Sequence, residues 1–185
     1  MENLGYIHSK KQPSDWRFKG FTPLTGKKSN PKFWKDYLPK VESQIINGVE
    51  TFSCVSFSAL NPIEILIYYL TGVKVNFNDQ YIAALSKTTK RGNTFKRVWQ
   101  AIRYFGLIPQ SRLDFKGTTF DEWIDTSNIT PEMKEEGKKF LEDWEIHYEW
   151  VDESNPKEIF EALGEAPLQV SVAFQNGDGI LNPTS

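Results

Sequence analysis

Residues 54–70 read CVSFSALNPIEILIYYL, and the fold turns on how this stretch is taken. Phe57, Leu60, Glu64 and Tyr68 recur at helical spacing among apolar neighbours on several sides, the pattern of a central, largely buried helix. Two starts compete. Cys54 opens the apolar run, which would give a helix with Pro62 inside it. Alternatively, Asn61-Pro62-Ile63-Glu64 supplies an N-cap residue, a proline at the first helical position and a glutamate at the third. Gly72 ends the helix in either case.

Downstream, NDQYIAALS (78–86) predicts a second helix capped by Asn78 or Asp79, and KTTKRGNT is a loop. FKRVWQAIRYFG (95–106) carries Phe95, Val98, Ile102 and Phe105 on one stripe, closed by Gly106. Leu107 to Phe115 reads as extended. Residues 121–144 predict one or two further helices, with Thr130-Pro131-Glu132 as a start signal. The texture then changes: EIHYEWVD (145–152) alternates like a strand, NPKEIFEALG is a short helix capped by Asn155 and ended by Gly164, and PLQVSVAF (167–174) alternates again. Upstream, residues 1–32 are rich in Lys, Ser, Pro and Gly, an extended arm for Trp16, Phe18 and Phe21 to pin to the body. Asn47-Gly48 is a turn signal in the loop that leads to Cys54.

Composition narrows the function classes. The 185 residues, 39% hydrophobic, are enough for one core or two small lobes sharing a cleft. A formal net charge of -2, a pI near 5.8 and scattered Lys/Arg give no basic footprint, so no nucleic-acid partner is expected. A single cysteine excludes an internal disulfide and fits a reducing compartment. The N-terminus lacks the apolar region of a signal peptide, and the most apolar run, 63–70, is too short to span a bilayer, so no membrane partner is expected. No metal or other cofactor is called for.

Four segments in order, over roughly residues 40–175, resemble the papain-like cysteine peptidase family (peptidase C1). In Cys54-Val55-Ser56-Phe57-Ser58-Ala59 the cysteine is followed by two variable residues and then Phe-Ser-Ala, as in that family's nucleophile segment; Glu64 falls where such enzymes often have a glutamate on the same helix. NDQYIAALSKT is similar to the family's next helix, RGNTFKRVWQAIRYFGLIP to its glycine-rich wall and following helix, and FEALGEAPLQVSVAF to the start of its second lobe. The resemblance implies an α+β, papain-like fold: an arm (1–32), a helical first lobe with a central nucleophile helix (33–115), and the start of an antiparallel β-rich second lobe (116–185), incomplete here. It implies Cys54 as the catalytic nucleophile of a thiol protease, Gln44 as the amide that joins the Cys54 N–H in stabilising the oxyanion, and Gly92 and Asn93 as the wall that binds substrate in extended form. The partner implied is a polypeptide substrate or a peptide-like ligand.

Several positions depart from the family's pattern. Ser53 and Val55 replace the usual flanking glycine and tryptophan, ten residues separate Gln44 from Cys54, and Asn93 replaces a glycine, which would leave less room in the cleft. The base is the chief difficulty. The family places its histidine about 130 to 150 residues after the cysteine, a window that opens at the very end of this chain. The two histidines present, His8 in the arm and His147 in EIHYEWVD, read as surface or half-buried residues, and Asn182 is followed by Pro183 rather than by histidine. The chain is therefore expected to be a fragment lacking its general base, inactive by itself; the alternative is an inactive papain-fold binding or scaffold protein. An unrelated α+β domain is the third reading. Lack of disulfides and of an evident inhibitory prosegment resembles bacterial and phage members, hence a cytoplasmic or virion/host-cytoplasm setting. Whether residues 1–32 block the cleft is left open.

Overall fold

A computed structural model of the protein describes residues 5–18 and 31–172. It is a mixed α+β structure, about 48% helix with a few short strands. The chain enters as a two-residue strand, β1 (Gly5–Tyr6), and later makes a 3-10 helix over Pro31–Tyr37 and a small hairpin of β2 (Ile45–Ile46) and β3 (Val49–Glu50). Then come α1 (Cys54–Thr71), α2 (Asp79–Leu85), β4 (Gly92–Asn93) and α3 (Phe95–Phe105), followed by the single turn α4 (Phe120–Trp123), α5 (Pro131–Asp143) and α6 (Pro156–Glu165).

Helix α1 resolves the two competing starts: it begins at Cys54, with Pro62 buried in its interior. Its apolar residues point in several directions because α1 packs on α2, α3 and the 3-10 helix together. Val55, Ala59, Leu60, Ile63 and Ile67 meet Tyr81 and Ile82 of α2 and Val98 and Ile102 of α3 in the main core. Each large aliphatic side chain buried this way contributes about 1.5–3 kcal/mol, enough to hold a helix that a mid-chain proline weakens. By length and composition alone α1 could also cross a membrane, but half of it is buried against these neighbours and Glu64 lies in its middle.

The next two helices follow their local signals. Asn78 caps α2 by accepting the Tyr81 N–H at 2.8 Å, and Thr94 caps α3 by accepting the Arg97 N–H. Thr130 does the same for α5, with Pro131 at its first position. Residues 107–115, expected to be extended, contain a 3-10 turn at Gln110–Arg112.

The second half differs from expectation. Neither EIHYEWVD nor the described part of PLQVSVAF forms a named strand; the one ladder contact there is a bridge between Arg17 and Trp150. A strand exists only through a neighbour's backbone groups, and the described residues of this region supply helices instead. Val170 and Val172 are consequently 65% and 50% exposed. Residues 173 and 174, Phe21 and Asn182 lie outside the described residues.

The arm is pinned as expected at Trp16 and Phe18. The Phe18 N–H donates to Trp150 O and the Trp150 N–H to Trp16 O, and Arg103 lies over the Trp16 ring at 4.2 Å. The arm's strand β1 runs parallel to β4, with Gly5 opposite Gly92 and Tyr6 opposite Asn93.

Candidate functional site

Cys54 is the first residue of α1, half-buried at the helix N-terminus. The preceding residue, Ser53, does not cap the helix with its side chain. Its hydroxyl donates to Thr51 O at 2.7 Å and accepts from the Trp123 indole N–H at 2.9 Å. The first N–H groups of α1 are thus left to the thiol, and those of Val55 and Cys54 pull its pKa down. They do not prevail. Burial pushes the Cys54 thiol up, and the carboxylate of Glu50 pushes the same way, so the net shift is upward. The balance disfavours the thiolate.

The approach to Cys54 is built by the β2–β3 hairpin. Asn47 and Gly48, both at positive φ, make the two-residue turn that the dipeptide signals. The hairpin absorbs most of the stretch between Gln44 and Cys54: Gln44 O accepts both the Thr51 N–H at 3.2 Å and the Thr51 hydroxyl at 2.8 Å. Phe52 then turns the chain into α1 at φ 50°, a left-handed conformation that a bulky residue adopts only under constraint. Glu50 holds this bend, accepting the Phe52 N–H at 2.9 Å on one oxygen and the Gln44 amide at 3.4 Å on the other. The Gln44 side-chain NH2 is therefore turned to Glu50, and its Oε1 is buried without a hydrogen-bond partner among the described residues.

On the other side stands β4. Gly92, at φ 93°, comes so close to β1 that a Cβ there would lie 2.0 Å from Gly5 O. Asn93, expected from the sequence to leave less room for a substrate, is buried. Its side chain turns inward, 1% exposed, where the amide donates to Ser86 O, Ser86 Oγ and Thr88 Oγ1 at 2.8–3.1 Å and the carbonyl accepts the Thr94 N–H. An asparagine fits because it satisfies the loop between α2 and α3 while leaving its backbone on the wall.

Seated between the wall and Cys54 is the arm. Gly5, at φ 123°, faces the thiol so closely that a Cβ would lie 2.5 Å from Sγ. The Ile7 N–H donates to Asn93 O at 2.7 Å, and the Tyr6 ring lies 4.6 Å from that of Phe95.

His8 is exposed, edge-on to Tyr6 at 6.3 Å, while His147 Nε2 pairs with Glu145 at 2.9 Å and its ring packs beside Trp16. Among the described residues no group of three His, Cys, Asp or Glu side chains is arranged to hold a metal ion.

Sequence reasoning missed three participants. Glu50 acts on both Gln44 and Cys54, and Gly5 covers the thiol. Gln169 ties the late segment to the start of α1: its amide donates to Val55 O at 2.9 Å and Ser58 Oγ at 2.7 Å, and its carbonyl accepts the Trp99 indole N–H at 2.7 Å. Beside it a cavity of about 620 Å³ opens between α1, α3 and the late segment, lined among others by Leu66, Phe95, Trp99, Trp144 and Tyr148. Cys54 does not line it. A tryptophan stripe near a lone glutamine carries no readable sequence signal, because the pairing spans 70 residues.

No family model matches the chain, and no curated protein matches it significantly.

Proposed function

We propose that the chain carries the nucleophile side of a papain-like thiol peptidase that acts on extended polypeptide, in a reducing compartment where Cys54 stays free. The observation that carries this reading is the juxtaposition at Cys54: a cysteine opening a buried helix, a wall strand at Gly92–Asn93 beside it, and an extended peptide segment lying between the two. In the reaction the Cys54 thiolate would add to a substrate carbonyl carbon, with the Cys54 N–H and a released Gln44 amide receiving the oxyanion. The C–N bond then breaks, the amine leaves with a proton from a general acid, and water hydrolyses the thioester. An imidazole brought to the thiol is required for both proton transfers.

A second reading, a binding or scaffold module on the same fold, draws support from the raised pKa of Cys54 and the acid beside it. One experiment separates them. On the peptidase reading, a peptidyl electrophile labels Cys54 with saturation kinetics and at a rate well above that of the same electrophile without its peptide, and Cys54→Ala abolishes labelling. Labelling at the rate of a simple thiol, with peptide binding unchanged in Cys54→Ala, would replace it with the binding reading.

A further inference from the structure

We propose that the groove between the end of α2 and the exposed face of α3 is a docking surface for a short acidic segment of another polypeptide. The surface is separate from Cys54 and does not depend on how that residue is read. Its basis is a concentration of positive charge that the net charge of -2 conceals. Residues 80–113 carry seven Lys and Arg, and all 24 Asp and Glu lie outside them. Three of the seven are paired: Lys90 with Asp121 at 3.8 Å, Lys96 with Asp15, and Arg112 with Glu136 at 2.6 Å. Of the other four, Lys87, Arg97 and Arg103 line one shallow groove of about 680 Å³ together with Gln100 and Tyr104. None of these three cations has an acidic partner among the described residues, and no acidic side chain lines the groove.

Each cation is placed by the fold. On α3, Arg97, Gln100 and Tyr104 recur at helical spacing, opposite the fully buried Val98 and Ile102, so the exposed face presents charged and polar groups. Arg103 lies over the Trp16 ring at 4.2 Å. That contact steadies the guanidinium and leaves its N–H groups free for a carboxylate, whose two oxygens match two of them. Lys87 follows α2 at φ 60°, a left-handed position where glycine is favoured. A lysine held in that strained backbone gives the groove its third cation, and strain of this kind marks sites where the side chain has a use.

The dimensions and surroundings select the anion. From Arg97 to Tyr104 the face of α3 runs about 10 Å, which suits a few residues of peptide. A nucleic acid strand would continue past the three free cations to Lys90 and Lys96, already neutralised by Asp121 and Asp15, and onto a protein that is net negative. A membrane surface would need apolar groups to insert, and the aliphatic residues of α3 are buried in the core. A short run of Asp and Glu meets the cations without reaching further, and the exposed Gln100 amide stands among them to bond its backbone.

The test uses the full chain and a fluorescent hexapeptide of alternating Glu and Asp, with binding followed by anisotropy. Saturable binding is expected, and it should weaken severalfold as ionic strength rises from about 0.05 to about 0.2 M and screening shortens. The corresponding peptide of Gln and Asn should not bind. Arg97→Gln combined with Arg103→Gln should weaken binding by about tenfold or more, with the thermal melt retained. The same change of charge at two exposed lysines outside the groove, Lys35→Gln with Lys40→Gln, should leave binding within about twofold. Lys87→Gly separates docking from structure: relief of the left-handed backbone should raise the thermal melt while peptide binding weakens. Absence of saturation, unaltered binding in either groove variant, or an equal loss in the two double variants would overturn the proposal. So would tighter binding of a single-stranded oligothymidylate of matching charge, or of phosphatidylcholine vesicles containing phosphatidylserine.

Discussion

Residues 54–108 and residues 145–172 are both apolar and patterned, yet the first stretch forms the helices its pattern predicts and the second does not form its strands. In the first stretch α2 and α3 have side-chain caps, α1 and α3 stop at glycines, and the helix hydrogen bonds lie within the segment. In the second, EIHYEWVD and PLQVSVAF carry the alternation of strands, but a ladder must come from another segment, and among the described residues the pairing is a single bridge of Arg17 with Trp150. Periodicity predicts which face a residue turns, whereas pairing depends on what lies alongside. The late segment is instead held by single side-chain ties, of which Gln169 is the best connected.

This contrast can be broken most directly by truncating one aliphatic side chain in each region. Ile102→Ala, which truncates a fully buried side chain of α3 in the core shared with α1 and α2, should cost about 2–5 kcal/mol of stability in denaturant unfolding. Val172→Ala, at a half-exposed position, should stay within about 0.5 kcal/mol. Comparable losses at the two sites would mean that the late segment is packed as a core.

A smaller effect tests the electrostatics of the helical core. Glu64 is 4% exposed and accepts the Phe77 N–H at 2.8 Å. Burial pushes its pKa up from 4.5 to about 7, against the lowering effect of that hydrogen bond and with a further upward push from Glu42. A carboxyl that is more basic folded than unfolded contributes stability that is complete below the unfolded value and is lost as pH rises through the folded one. Stability should therefore fall by about 2–3 kcal/mol between pH 4.5 and 7 from this group, measured by unfolding across that range. Neighbouring Asp79, also raised by burial and by Glu42 and Glu64, adds in the same direction. Glu64→Gln should flatten the profile while retaining an acceptor for Phe77; an unaltered slope would show that Glu64 is ionised in the fold.

The smallest expected effect sharpens the comparison at its seam. Gln169→Ala removes three hydrogen bonds that join the late segment to α1 and α3 and should cost about 1–3 kcal/mol. Hydrogen exchange should rise in residues 144–172 while the amides of α1 to α3 remain protected; a uniform rise would show that the two regions unfold as one unit.

Much of the site was legible locally. Cys54 at a helix start, the turn at Asn47-Gly48, and the caps at Asn78 and Thr130 depend on residues within a few positions of one another, and the sequence displays such residues side by side. That closeness let the helix start at Cys54 be considered at all, although the rival start at Asn61 used equally good local signals and lost because α1 is enclosed by α2 and α3 along its length.

The state of Cys54 was not legible, nor was the direction of Asn93. A thiol's pKa follows from how much water it loses and which charges stand near it, and here burial and the Glu50 carboxylate raise it, while Gly5, 49 positions upstream, lies against the sulfur. Asn93 looked like an obstruction in one dimension and is a structural tie in three, because Ser86 and Thr88 fold back to receive it. Helix formation and turn type were set by chain-local hydrogen bonding, and so by the order of residues alone. Desolvation, through-space charge and close backbone approach were decided only when distant segments met.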